Sequence, residues 1–97
     1  MEIKELIEQS HQIAKEHGWW DDDRPIREAI LMTIVELCEA IQKDRSDDYD
    51  GLIEEIVDVW IRLADLTACF DLHHIENRIK IKMEINKNRS WKHDKKY

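Results

Sequence analysis

Hydrophobic side chains recur every three or four residues along most of this chain, which is the spacing of one face of an α-helix. The pattern predicts four helices, which run from about Glu2 to His17, from Pro25 to Lys43, from Asp50 to Phe70 and from Leu72 to Asn88. Two glycines and one proline in 97 residues leave little room for the turns of a sheet. We therefore expect an all-α fold, an antiparallel four-helix bundle that forms a single domain over residues 1–97 and ends in a mobile tail, residues 89–97.

Small and acidic residues mark where these helices are expected to begin and end. Gly18 is expected to end the first helix, because glycine readily adopts the left-handed backbone that follows a helix. The aspartates at positions 21–23, Asp50 and Asp71 are candidate N-caps for the second, third and fourth helices. The polar residues 44–51 are expected to connect the second helix to the third.

The apolar stripes of the first three helices define the predicted core. The stripe residues are Ile3, Leu6, Ile7, Ile13 and Ala14 in the first helix, Ile26, Ile30, Ile34, Leu37 and Ile41 in the second, and Leu52, Ile53, Ile56, Val57, Trp60, Ile61, Leu63 and Ala64 in the third. Leu31, Val35 and Cys38 widen the second stripe, so that helix is expected to be buried on two sides. Cys38 and Cys69 lack metal or redox spacing and are expected to be small core residues in a reducing compartment. A domain of this size has a small core, so a partner subunit would help to stabilise it.

Two acidic motifs interrupt the apolar stretches of the second and third helices. They are Glu36-x-x-Glu39 and Glu55-x-x-Asp58, with fifteen residues between them. Residues three apart share a helix face, so two antiparallel helices would gather four carboxylates. Such a cluster is stable only around a cation, and oxygen ligands favour Mg²⁺ or Mn²⁺ over zinc. The alternative is a pair of solvated helix faces, and metal binding is about as well supported as that alternative on these grounds.

Basic residues are concentrated at the end of the chain. Residues 1–77 carry 7 basic and 20 acidic side chains, whereas residues 78–97 carry 8 basic and 2 acidic ones. Lys82, Asn86 and Arg89 share one face of the fourth helix and are suited to phosphate oxygens. An ordinary basic helix end is the alternative for these three residues. A long nucleic acid is disfavoured because the acidic body would repel it, so a small anion is the expected partner.

Aromatic side chains lie between and beside the first two helices. Trp19 and Trp20 follow the first helix in a polar loop, where at least one is expected to be buried against a neighbouring subunit. An aromatic ring near a phosphate site can also stack on a nucleobase. His11 lies beside the first apolar stripe, a position more typical of a packed histidine than of a ligand.

The hydropathy of the chain bears on its location. No apolar run approaches the roughly 20 residues that a membrane-spanning helix needs. The first residues, Met-Glu-Ile-Lys-Glu, lack the basic-then-apolar order of a signal peptide. We therefore expect a cytoplasmic protein without a membrane partner.

The order of the motifs resembles that of the all-α nucleoside triphosphate pyrophosphohydrolases of the MazG-like superfamily. That family has E-x-x-E on one helix, E-x-x-D on the next, and a lysine–asparagine–arginine motif on the last. The matching segments are Glu36-Leu-Cys-Glu39, Glu55-Ile-Val-Asp58 and Lys82-Met-Glu-Ile-Asn86-Lys-Asn-Arg89, and the resemblance extends from about residue 11 to residue 93. The chain departs from the family at Val35, where many relatives have glutamate, and at Ser90-Trp91, where an aromatic residue or proline often follows the arginine.

The resemblance implies a function and a set of site residues. Glu36, Glu39, Glu55 and Asp58 would hold Mg²⁺, Lys82, Asn86 and Arg89 would contact the triphosphate, and His11 and Trp20 would lie against the base. The implied reaction is hydrolysis of a (d)NTP to a (d)NMP and pyrophosphate, which would cleanse or balance nucleotide pools. Glu39 or Glu36 would orient the attacking water.

The resemblance also implies an assembly and leaves alternatives open. Members of this superfamily assemble as dimers or dimers of dimers, with sites built at subunit contacts. A phosphoribosyl-ATP pyrophosphatase is an alternative within the superfamily. A non-catalytic helical interaction module, whose carboxylates are merely solvated, is an alternative of a different class.

Overall fold

The computed structural model describes residues 1–89, which form four helices: α1 (Ile3–Glu16), α2 (Ile26–Arg45), α3 (Tyr49–Thr67) and α4 (Leu72–Lys87). No strand occurs within residues 1–89, so the predicted all-α class is confirmed. Each helix begins and ends within three residues of its predicted position. The tail that the sequence predicts to be mobile, residues 89–97, lies outside the described residues except for Arg89.

Gly18 ends α1 as predicted. It has a φ of +80°, which is the left-handed backbone that glycine adopts without steric penalty. Its N–H donates to the carbonyl of Lys15 at 3.1 Å, and the N–H of Trp19 donates to the carbonyl of Ala14 at 3.0 Å. These two bonds satisfy carbonyls that a helix end otherwise leaves unpaired, and they turn the chain into the tryptophan loop.

The end of α2 has the same hydrogen-bonding pattern, with aspartate in the place of glycine. Asp47 has a φ of +55°. Its N–H donates to the carbonyl of Asp44 at 3.1 Å, and the N–H of Asp48 donates to the carbonyl of Lys43 at 3.0 Å. A left-handed backbone costs a residue with a side chain about 1 kcal/mol, so Asp47 is a strained position.

The connector between α2 and α3 is shorter than the sequence predicts. It comprises residues 46–48, not 44–51, because α2 and α3 extend into it from both sides. The N-cap of α3 is Asp48, whose side chain accepts a hydrogen bond from the backbone N–H of Gly51 at 2.9 Å. The prediction that Asp50 caps α3 is therefore wrong. A Cβ atom at position 51 would overlap the Asp48 carboxylate, so glycine leaves the space in which this cap forms.

The starts of α2 and α4 differ in how they are capped. Asp71 caps α4 as predicted, and its side chain accepts a hydrogen bond from the N–H of His73 at 3.0 Å. Pro25 occupies the N-cap position of α2, where no side chain makes a capping hydrogen bond. The prediction that the aspartates at positions 21–23 cap α2 is therefore wrong. Asp22 and Asp23 instead have left-handed backbones, with φ of +61° and +52°.

The helix α3 lies at the centre of the packing. Both α2 and α1 pack against it, whereas α4 makes no extensive contact with the other three helices. An apolar cavity of about 470 Å³ separates α4 from α1 and α3, and its lining includes Leu6, Trp60, Leu63, Ile75 and Ile79. The carboxylates of the two acidic motifs do not line this cavity. Among residues 1–89, one face of α4 therefore packs against no other helix to any extent.

A single chain buries little apolar surface. Within residues 1–89, the buried apolar side chains are Ile7, Ala29, Ala40 and Ala64. Many predicted core residues are exposed, among them Ile30, Leu31, Ile34, Val35, Leu37, Ile41, Ile53, Ile56, Val57, Trp60 and Ile61. The expected core cysteines, Cys38 and Cys69, are exposed as well. The Cα radius of gyration is 16.0 Å, compared with roughly 12.5 Å for a compact domain of this length.

The apolar stripes predicted to form the core are therefore largely uncovered within residues 1–89, and the expected completion of the bundle by a partner subunit stays a prediction. Helical periodicity identifies the apolar face, but it does not supply enough opposing surface to cover that face. With α4 set apart, much of the apolar circumference of α2 and α3 faces solvent. Contiguous exposed apolar surface on this scale is typical of a surface that another protein covers.

Candidate metal and nucleotide site

Three carboxylates from α2 and α3 converge. Glu36 and Glu39 are three residues apart on α2 and project from nearly the same face, and Glu55 approaches them from α3. One oxygen from each of these residues lies within 4.8 Å of the other two. This spacing allows one small cation to contact all three side chains.

Glu55 has the surroundings that are least favourable to a negative charge. Its Oε2 atom is enclosed and has no hydrogen-bond partner among residues 1–89. Burial first, and then the nearby carboxylates of Glu39 and Glu36, raise the pKa of Glu55 from 4.5 to about 7. An enclosed carboxylate without a hydrogen-bond donor is stabilised by taking up a proton or by binding a cation.

The donor set fits a hard divalent cation. Carboxylate oxygens suit Mg²⁺ or Mn²⁺, whereas structural zinc sites are built from cysteine and histidine. The enclosed Oε2 of Glu55 is the atom that such an ion would satisfy. Asp58 is exposed and lies outside this group of three carboxylates. Its role as a fourth ligand stays a prediction.

Arg62 is a cationic side chain that contacts this group. Its Nε lies 3.4 Å from Oε1 of Glu36, which is buried. Its guanidinium carbon also lies 4.9 Å from the centroid of the Trp19 ring, within the range of a cation–π contact. Arg62 therefore links the carboxylates of α2 and α3 to the loop that follows α1.

A second polar group surrounds Asp65, which lies about one helical turn after Arg62 on α3. This carboxylate is buried, and its Oδ1 accepts a hydrogen bond from Nε1–H of Trp20 at 2.8 Å. The Nδ1 atom of His11 lies 2.8 Å from the same oxygen, and the proton on Nδ1 completes that bond when Asp65 is ionised. The rings of His11 and Trp20 lie 5.6 Å apart with an interplanar angle of 57°. The two residues that the resemblance places against a base are thus brought together by one carboxylate.

Arg24 packs against both rings of the tryptophan loop. Its guanidinium carbon lies 4.9 Å from the Trp20 ring and 5.4 Å from the Trp19 ring. Because Arg62 also contacts Trp19, this ring meets two guanidinium groups. The Arg24 guanidinium therefore contacts both rings of the tryptophan loop.

The sequence reasoning missed Arg62 and Asp65, although a signal was present. Together with Glu55 and Asp58 they lie at spacings of three, four and three residues, which place all four on one face of α3. The surrounding helix is apolar, so four charged residues on one face stand out against it. Extending the acidic motif by two more positions at helical spacing would have identified both residues.

The predicted phosphate-binding residues lie on α4 or beyond its end. Lys82, Asn86 and Arg89 are exposed. Among the described residues, α4 makes at most marginal contact with α2, so the helix that carries Lys82 and Asn86 does not pack against the helix that carries Glu36 and Glu39. Their role in binding a triphosphate stays a prediction.

Neither a membrane-spanning helix nor a known relative is found for the part of the chain that each search covers. Between residues 1 and 89, the structure contains no helix that is both long enough and apolar enough to cross a bilayer. Comparison of the chain with protein-family models, with curated proteins and with solved structures finds no match.

Proposed function

We propose that this protein is a Mg²⁺-dependent nucleotide pyrophosphohydrolase that converts a (d)NTP to a (d)NMP and pyrophosphate, with a role in cleansing nucleotide pools. Two observations carry the proposal: Glu36, Glu39 and Glu55 converge, and one oxygen of Glu55 is enclosed without a hydrogen-bond partner among residues 1–89. The order of the three sequence motifs, which resembles that of the MazG-like superfamily, supplies the reaction.

The proposed reaction breaks one phosphoanhydride bond. The oxygen of a water molecule bonds to the α-phosphorus, and the bond from that phosphorus to the bridging oxygen breaks. The bridging oxygen keeps the electron pair and leaves as part of pyrophosphate. The proton from the water passes to a carboxylate of α2, for which we assign Glu39, because Glu39 is exposed whereas Glu36 is buried and bonded to Arg62.

The metal would be held by the three converging carboxylates. Glu36, Glu39 and Glu55 offer three oxygens, and Asp58 is the proposed fourth ligand. A bound Mg²⁺ would screen the negative charge of the phosphates and favour ionisation of the attacking water. The protein contributes the fixed position of these ligands on two packed helices, so that they need not be ordered when the ion binds.

His11 and Trp20 are proposed to contact the base. Asp65 holds both side chains, so they are ordered before a ligand arrives. The aromatic face of Trp20 can stack on any base, whereas Nε2 of His11, the ring nitrogen not bonded to Asp65, can select among hydrogen-bonding groups. This arrangement supports a nucleotide that lies along α3, with its phosphates at Glu55 and its base at Asp65.

The active form is proposed to be an antiparallel four-helix bundle completed by a second copy of the chain, as a dimer or a dimer of dimers. The exposed apolar surface of α2 and α3 and the unpacked face of α4 support this assembly. A second copy could bring Lys82, Asn86 and Arg89 to the carboxylates. Sedimentation at micromolar concentration should detect the oligomer, and a strictly monomeric species that retains activity would contradict it.

The test is a panel of nucleoside triphosphates and phosphoribosyl-ATP, assayed with Mg²⁺ for monophosphate, diphosphate and pyrophosphate. We expect monophosphate and pyrophosphate in equal amounts. Glu39→Gln should abolish turnover without unfolding the protein, because the amide cannot accept the proton from water. Glu54→Gln, which changes an exposed glutamate on α3 outside the cluster, is the matched control. Pyrophosphate release by Glu39→Gln at the wild-type rate would contradict the assignment.

A non-catalytic interaction module is the second candidate function, and the exposed apolar surface of α2 and α3 is the observation that favours it. The two candidates differ in whether the folded protein binds Mg²⁺. A ligand that binds only the folded state raises the melting temperature. A melting temperature that does not respond to millimolar Mg²⁺ would favour the interaction module.

A further inference from the structure

Arg62 lies between the two ends of the polar face of α3. It is seven residues after Glu55 and three residues before Asp65. At about 1.5 Å of rise per residue, these separations are roughly 10 Å and 5 Å along the helix axis. A nucleotide with its phosphates at Glu55 and its base at Asp65 would pass over Arg62.

The contacts of Arg62 leave much of its hydrogen-bonding capacity unused. Nε faces Glu36, and the guanidinium group packs on the Trp19 ring. Neither Nη nitrogen makes a hydrogen bond to another residue within the described part of the chain, residues 1–89. The side chain is 28% exposed, and neither Nη atom is among the enclosed atoms without a partner in residues 1–89, so both reach solvent. The arrangement orients a planar fork of N–H donors outward, and such a fork matches phosphate geometry.

Arg62 lies beside the carboxylates that would hold the metal, so its positive charge would be close to that of a bound ion. A divalent ion bound to Glu36 would place a second positive charge close to the guanidinium group, and the two cations would repel each other. An anion that lies between them converts that repulsion into two attractions. A polyphosphate is an anion of this kind, because one of its oxygens can face the metal while another faces the guanidinium group.

We propose that Arg62 is a phosphate-binding residue of this site, which contacts the nucleotide through its Nη groups while Nε remains on Glu36. This inference rests on the proposed nucleotide activity and adds a residue that the sequence motifs do not contain. The alternative role is a purely structural ion pair that holds Glu36 in place. The two roles predict opposite effects on Mg²⁺ binding when the guanidinium group is removed.

Calorimetric titration can separate the two roles with two probes, Mg²⁺ alone and an α,β-imido nucleoside triphosphate in the presence of Mg²⁺. For Arg62→Gln we expect Mg²⁺ to bind as tightly as to the wild type or more tightly, because a nearby cation has been removed. We expect the analogue to bind at least tenfold more weakly. Arg27→Gln, at an exposed position in the first turn of α2, should change neither affinity by more than twofold.

Arg62→Lys provides a second test if Arg62→Gln does not fold. Lysine keeps the charge next to Glu36 but lacks the planar fork, so we expect the analogue to bind several-fold more weakly while Mg²⁺ binding is retained. Unchanged analogue affinity in Arg62→Lys, or in a folded Arg62→Gln, would overturn the inference. A parallel loss of Mg²⁺ and analogue affinity would overturn it in favour of the structural role. Failure of the wild-type protein to bind any analogue of the panel would instead reject the proposed function, and the role of Arg62 with it.

Discussion

Raising the pH from 6 to 8 should tighten Mg²⁺ binding about tenfold, because Glu55 must lose its proton before it can hold a cation. Of the three converging carboxylates, Glu55 has the enclosed oxygen without a hydrogen-bond partner. Burial first, and then the neighbouring Glu39 and Glu36, raise its pKa to about 7. The proton and the metal therefore compete for the same side chain near neutral pH.

The expected magnitude follows from that pKa. With a pKa of about 7, roughly one molecule in ten has Glu55 ionised at pH 6, and roughly nine in ten have it ionised at pH 8. The apparent Kd for Mg²⁺ varies inversely with the ionised fraction if only the ionised form binds. The ratio of the two fractions gives the expected change of about tenfold.

The assay is calorimetric titration of Mg²⁺ into the protein at pH 6, 7 and 8 at constant ionic strength. Glu55→Gln should bind Mg²⁺ weakly and with little dependence on pH, because the amide does not ionise. Glu54→Gln should keep the wild-type response, since Glu54 is an exposed neighbour outside the cluster. A wild-type Kd that varies by less than twofold over this range would refute the reasoning. An equal loss of pH dependence in Glu55→Gln and Glu54→Gln would also refute it.

The same pKa sets the sign of the pH dependence of stability in the absence of Mg²⁺. Below pH 4.5 Glu55 is protonated in both the folded and the unfolded chain, so it contributes no penalty. Between pH 4.5 and about 7 the unfolded chain loses this proton while the folded chain keeps it, so the free energy of unfolding falls as pH rises. Above about pH 7 Glu55 is ionised in both states, and the free energy of unfolding falls no further on its account. Glu55→Gln should therefore melt at a higher temperature than the wild type at pH 8, and an equal or lower melting temperature would contradict the assignment.

Two further predictions concern stability, and urea denaturation measures both. Asp47→Gly should raise the free energy of unfolding by about 1 kcal/mol, because glycine relieves the left-handed backbone at the end of α2. Asp44→Gly changes a residue inside α2, three positions earlier, and should lower the free energy of unfolding by up to about 1 kcal/mol. A change of the same sign in both variants would contradict this account. Asp65→Ala should lower the free energy of unfolding by about 2–3 kcal/mol, because it leaves the ring N–H groups of His11 and Trp20 without their acceptor. A loss below about 0.5 kcal/mol would show that these two bonds do not stabilise the loop.

Local chemistry explains which helix ends could be predicted from the sequence. Gly18 and Asp71 act within one turn of backbone, where residue type largely decides the geometry, and both predictions are confirmed. Asp50 is one of three aspartates at the start of α3, with Asp47 and Asp48, and residue type does not distinguish among them as caps. The structure uses Asp48, because the space beside Gly51 admits its carboxylate. That choice depends on packing between neighbouring residues, which residue type alone does not specify.

The candidate site was predictable only in part, for a geometric reason. Helical spacing predicts that Glu36 and Glu39 share a face, and the structure brings both of them to Glu55. Residues three apart still differ by roughly 60° around the helix axis, so both members of a pair need not face the neighbouring helix equally. Glu55 faces α2 and Asp58 is exposed in a single chain. Asp65 could not be assigned from its type, because its role depends on hydrogen bonds to residues more than forty positions away.

The core was the least predictable feature, because burial of a helix face depends on how much apolar surface of other elements packs against it. Periodicity correctly identified the apolar faces of α2 and α3, but one chain leaves residues such as Ile34 and Trp60 exposed. Whether those faces are covered depends on what lies opposite them. A sequence pattern within one helix does not contain that information.

The three-residue connector between α2 and α3 sets the angular register of the two helices, since each begins or ends in a fixed hydrogen-bonded cap. One inserted residue that was absorbed into α3 would rotate every later side chain of that helix by about 100° and advance it by about 1.5 Å. Glu55 would then turn away from Glu36 and Glu39, even though every residue of the cluster was still present. The connector therefore tolerates substitution far better than a change in length. The loop between α1 and α2, in contrast, can lengthen without altering which carboxylates meet.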